Sequence, residues 1–154
     1  MKFLVVSTFA LAAMLMNAPS QAANCNAGNS MTSVKNFKTG AQEYVEFKIK
    51  SSENFAITTT AVTGPFADES SDPSTIPIMV NGALFTKIQF HFLESNCTIP
   101  RTFSAKALVK DVKQVEQFEG YVSYVIGRRK ASHYLSTVDV PCGALHCVRV
   151  NFGP

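Results

Sequence analysis

The chain has 154 residues, 46% of them hydrophobic, with a formal charge of +3 and no tryptophan. That length is one domain able to bury a core of its own. So small and scattered a positive charge excludes a dedicated nucleic-acid binder.

Met1-Lys2 gives a positive start, residues 3–16 an almost unbroken apolar run, and residues 17–22 a polar exit rich in small side chains. This is the pattern of a secretory signal peptide (1–22), its apolar part too short for a membrane span. Cleavage after Ala22 or Ala23 leaves about 130 residues, and the formal charge drops by one with Lys2. Asn24 stands where a lipoprotein cleavage box needs a small residue before its cysteine, so the expectation is a freely released extracellular or periplasmic protein with no membrane anchor. Cys25, Cys97, Cys142 and Cys147 all lie beyond the cut, in an oxidising compartment.

Residues 23–42 read as an N-terminal segment tethered through Cys25, ahead of a single domain over 43–154. From there, short runs of period-two alternation separated by turn residues predict strands. In 43–50, Val45, Phe47 and Ile49 face one way and Tyr44, Glu46, Lys48 and Lys50 the other. Residues 54–63 are rich in Thr, Val and Ile and read as a second strand paired with the first. Residues 67–77 form a polar, Pro-containing loop. After the turn dipeptide Asn81-Gly82, residues 84–93 predict a strand with Leu84, Thr86, Ile88, Phe90 and Phe92 inward. Residues 109–115 pair with 121–126, and 134–140 with 147–152 around a turn at 141–146. A helix over 105–118 is the alternative there, since Leu108, Val112, Val115 and Phe118 also fit helical spacing. Seven to eight short strands predict an antiparallel β-sandwich or a partly closed barrel.

Cys142 and Cys147 read as a disulfide across the closing hairpin, with Gly143 permitting the turn; zinc held with His146 is the alternative. Cys25 would then pair with Cys97, although four cysteines allow three connectivities. Closing that long loop contributes on the order of 4 kcal/mol in the chain-entropy model. The acidic run Asp68-Glu69-Ser70-Ser71-Asp72 lacks the spacing of a calcium loop and reads as solvated. No nucleophile elbow is present, and the scattered acids fit no particular hydrolytic pair. Arg128-Arg129-Lys130 is the densest basic cluster and the first candidate for holding an acidic polymer. Tyr44, Tyr121, Tyr124 and Tyr134 are candidates for stacking on sugars, with Tyr121 and Tyr124 on opposite strand faces. Asn96-Cys97-Thr98 satisfies the N-glycosylation sequon, which counts only in a eukaryotic secretory pathway.

Val62-Thr-Gly-Pro-Phe66, the acidic Pro-containing loop, and Ile78-Met-Val-Asn-Gly-Ala-Leu84 leading into Lys87-Ile-Gln-Phe90 together resemble the AMIN-like family of bacterial extracytoplasmic domains. Gln117-Phe-Glu-Gly-Tyr-Val-Ser-Tyr-Val-Ile-Gly127 with Arg128-Arg129, and the closing Val148-Arg-Val-Asn-Phe152, resemble the same family. The resemblance covers about residues 44–152. It implies a β-sandwich and a non-catalytic, cofactor-free module associating with cell-envelope polymers such as peptidoglycan. No catalytic or metal-binding residue is implied by it. The function expected is thus a secreted binding module for an envelope polymer or an extracellular protein partner, with Arg128, Arg129, Lys130 and Tyr121 as its binding residues. The alternatives are a small secreted enzyme or enzyme inhibitor, and a secreted effector acting on a host protein.

Overall fold

The computed structural model describes residues 28–51, 54–67, 77–93, 95–96, 103–118 and 120–154. They form an all-β sandwich, not closed into a barrel. The strands are β1 (Ser30–Thr39), β2 (Gln42–Lys50), β3 (Ala56–Val62), β4 (Leu84–His91), β5 (Ser95–Asn96), β6 (Val109–Phe118), β7 (Tyr121–Arg128), β8 (His133–Cys142) and β9 (Leu145–Gly153). One sheet runs β5-β1-β2-β9-β8 and the other β3-β4-β7-β6. Every pairing is antiparallel except the two-residue β5, which runs parallel to β1.

The alternation read from the sequence fixes the inner faces. Val45, Phe47, Ile49, Val148, Val150 and Phe152 come from one sheet, and Ile88, Phe90, Val122, Tyr124 and Ile126 from the other. The Phe47 ring lies 5.1 Å from both Phe90 and Tyr124, so one side chain interlocks the two layers. Residues 109–118 are strand and not helix: β6 pairs with β7 along its whole length. Both closing hairpins turn at glycines with positive φ, Gly120 (83°) and Gly143 (74°), where a side chain would be strained.

Several expectations are corrected. Residues 30–39, within the segment read as a tether, form a ten-residue strand that pairs with β2. Its alternation is hidden because a bulge between Met31 and Ser33 moves the next inward position to Val34. β3 does not pair with β2: the chain crosses to the other sheet and β3 pairs with β4. Leu84 and Phe92, both expected inward, are exposed. Leu84 opens β4 one position beyond the last residue paired with β3. Phe92 follows β4 with φ at 67°, and this left-handed backbone ends the alternation.

Candidate binding surface

β7 carries the predicted binding residues but separates them. Tyr121 begins the strand and Arg128 ends it, a span of roughly 23 Å at strand rise. Tyr121 and the basic turn therefore belong to two places and not one.

At the C-terminal end of β7 the three basic residues part company. Arg128 is only 9% exposed. Its Nε donates to Thr86 Oγ1 at 3.2 Å, its Nη1 donates to the Ser132 carbonyl, and its guanidinium lies 5.9 Å from the Phe152 ring centre. Loss of hydration on burial lowers its pKa from the ordinary arginine value. Arg128 is thus a positioning residue that ties the turn to the core, and it is removed from the exposed binding set. Arg129 and Lys130 stay exposed at the turn. The Arg129 amide donates to the Leu108 carbonyl at 2.8 Å, which sets the turn against the start of β6. There the buried Glu43 carboxylate, reaching across from β2, accepts the backbone N–H groups of Ala107, Leu108 and Val109 at 2.8–2.9 Å. Three donors on one carboxylate satisfy a strand entry that no ladder serves.

At the opposite end lies an aromatic group. Tyr121 pairs with His91 across the ladder, and their rings meet edge to face at 4.8 Å. The Phe92 ring is 6.5 Å from that of His91 and 66% exposed. Its backbone is held from both sides: Asn29 Nδ2 donates to the Phe92 carbonyl at 3.1 Å, and the Leu93 amide donates to the Gly120 carbonyl at 3.0 Å. Tyr121 is 41% exposed, so two large rings face solvent together.

Between the two ends, the outer face of the β3-β4-β7-β6 sheet carries a polar network. Glu116 Oε2 accepts from Ser123 Oγ at 2.6 Å and from Gln89 Nε2 at 3.0 Å, with Lys87 Nζ at 3.3 Å. Burial alone would raise the Glu116 carboxyl, but the Ser123 hydroxyl, the Lys87 ammonium and the Gln89 amide outweigh it and hold the group below its usual range. At neutral pH it is an ionised acceptor with no proton to give. Beside it, residues 63–67 fold back over the sheet, Phe66 packing edge to face on Phe85 at 5.1 Å. They leave an open pocket of about 210 Å³ lined by Val62, Pro65, Phe66, Lys87, Val115 and Val125.

The remaining candidates disperse. Cys142 and Cys147 form the expected disulfide, so their thiols are not zinc ligands, and His146 instead meets Asp139 at 3.0 Å. The disulfide points to a non-cytoplasmic location. Among the described residues no helix is long and apolar enough to cross a membrane. Tyr124 is buried, and Tyr44 stacks between Phe37 and Arg149 on the other sheet. Tyr134, on β8, donates to Thr137. Cys25, Cys97 and the acidic loop 68–72 lie outside the described residues, as does the Asn96 side chain.

Sequence reasoning missed two signals. Alternation through Val45, Phe47 and Ile49 places Glu43 inward, and alternation through Val122, Tyr124 and Ile126 does the same for Arg128. Nothing local marks Phe92. No protein-family model matches the chain, and no curated protein matches it.

Proposed function

We propose that the protein is a secreted, non-catalytic binding module of the AMIN-like kind, which engages a cell-envelope polymer through the aromatic end of β7. The observation that carries this reading is Phe92. A non-glycine residue in the left-handed region costs on the order of 1–3 kcal/mol, and such residues persist where the surroundings impose them, often at functional sites. Here the imposed backbone presents an apolar ring to water, beside Tyr121 and its hydroxyl. An apolar face with a polar tip suits the faces and hydroxyls of a saccharide chain. Three glutamates of the described sheets serve other ends. Glu43 and Glu116 anchor strands, and Glu46 accepts from Arg149 Nε at 2.8 Å. The signal-peptide pattern and the disulfide support export.

Co-sedimentation of the oxidised, processed chain with insoluble peptidoglycan, with cellulose and chitin as controls, tests the reading. Selective pelleting that Tyr121→Ala and Phe92→Gly both abolish is the expected result. A wild-type chain that stays in the supernatant at low salt, or variants that pellet as it does, would overturn it.

A further inference from the structure

The corner where β6 begins and β7 ends concentrates positive charge that the sequence scatters. The Arg129 amide donates to the Leu108 carbonyl and the Lys106 amide to the Val109 carbonyl, each at 2.8 Å. Lys110 Nζ donates to the Lys106 carbonyl, also at 2.8 Å. These bonds fold the approach to β6 against the turn after β7, so Lys106 and Lys110 stand with Arg129 and Lys130, some twenty positions away in the chain.

Beneath these four lies a fifth cation. The hydrogen-bond partners of Arg128 are the hydroxyl of Thr86 and the carbonyl and hydroxyl of Ser132, all uncharged. Among the described residues no carboxylate forms an ion pair with any of the five. The nearby Glu43 carboxylate is buried on the inner side and occupied by three backbone donors. Neutral N–H donors leave the Glu43 charge in place, so it offsets the buried Arg128, and the potential of the corner comes from the exposed Arg129 and Lys130 with the half-buried Lys106 and Lys110.

We propose that this corner is a second binding site, for a phosphate-bearing polymer, with Lys106, Lys110, Arg129 and Lys130 contacting phosphates and Arg128 bracing the turn from below. Three ammonium groups and one guanidinium favour phosphate: lysine binds it as a point charge, whereas planar carboxylates are best met by paired arginine forks. The cations spread over the ends of two strands and a turn, which suits successive charges on a chain better than a single enclosed ion. The site lies roughly 23 Å from the aromatic end at strand rise, so the two assignments stand or fall separately.

Binding of the oxidised, processed chain to labelled inorganic polyphosphate, followed across a sodium chloride series, tests this. Counterion release predicts a linear fall of log affinity against log salt with a slope of about −3 for four contacts. Arg129→Glu with Lys130→Glu, both exposed turn residues, should weaken binding by at least about tenfold and flatten that slope. Lys106→Ala with Lys110→Ala should do the same, and the melting temperature of each variant reports that it folds. Tyr121→Ala should bind polyphosphate as wild type does. Unchanged affinity in both basic variants would overturn the site, as would loss of binding in Tyr121→Ala alone. A preference for hyaluronate or for phosphatidylglycerol vesicles over polyphosphate at equal charge would overturn the assignment to a phosphate polymer.

Discussion

At one end of β7 a charged side chain, Arg128, is folded into the sandwich; at the other an apolar ring, Phe92, is left in water beside Tyr121. Each reverses the ordinary preference of its residue type, and the two reversals are maintained differently. Arg128 is kept by hydrogen bonds to oxygens of β4 and of the turn after β7, with an aromatic face beside it. Phe92 is kept by the Asn29 side chain, which donates to its carbonyl, and by the backbone bond from the following Leu93 to Gly120, which together hold a left-handed residue in place. The first arrangement stabilises the turn that carries Arg129 and Lys130. The second lowers stability in exchange for an exposed ring. The contrast teaches that one strand serves two surfaces, one made rigid by a buried charge and the other tolerating strain.

The largest expected effect lies beneath the basic end. Glu43→Ala would leave three N–H groups without an acceptor, two of them buried, and a loss of about 3–5 kcal/mol should appear in urea unfolding. A smaller loss would mean that water serves those donors equally well. Arg128→Ala should cost about 2–3 kcal/mol by the same assay, from the orphaned Thr86 and Ser132 oxygens and the lost contact with Phe152. If Arg128→Ala left stability intact but abolished polyphosphate binding, the side chain would act as a ligand and not as a support.

The hairpin staple comes next. Reduction of Cys142–Cys147, which closes a short loop (a sequence separation of 5), should cost on the order of 2 kcal/mol in the chain-entropy model. The thermal midpoint of Cys142→Ser with Cys147→Ser checks this, and EDTA should leave the wild-type midpoint unchanged. At the aromatic end the sign reverses. Phe92→Gly relieves the left-handed backbone and should raise stability by about 1 kcal/mol, a rise of several degrees in the midpoint, while binding to peptidoglycan is lost. Destabilisation by this substitution would show that the ring packs more than it presents.

The smallest effect concerns pH. Glu116 has a folded pKa below its unfolded value, so its contribution is present above the ordinary glutamate range and is lost as pH falls through the folded pKa. Wild type should therefore lose stability on acidification below about pH 4.5 more steeply than Glu116→Gln. Parallel acid limbs in the two proteins would remove Glu116 from the account.

Much of the fold was legible in the sequence, because period-two alternation follows directly from pleated geometry. The core faces of β2, β9 and the middle of β4 were readable in this way, as were the hairpin turns at Gly120 and Gly143. The same periodicity, carried two residues further back in β2 and two further on in β7, also places Glu43 and Arg128 inward. Other features had no local signature. The bulge in β1 breaks the alternation that would have announced the strand. The crossing from β2 to β3 was hidden because a short polar link serves a hairpin and a change of sheet equally well. Phe92 turns outward through its backbone and not through its residue type.

The sequence by itself thus determined the class of fold, the positions of most strands and the cysteine pair at the closing turn. Side-chain period, glycine conformation and thiol chemistry are all local, so they can be read in order along the chain. Only the tertiary structure decided the sheet order, the crossing of β3 to the second sheet and the gathering of Lys106 and Lys110 beside Arg129 and Lys130. Those outcomes depend on which segments hydrogen-bond across long stretches of sequence, and no local pattern encodes that choice.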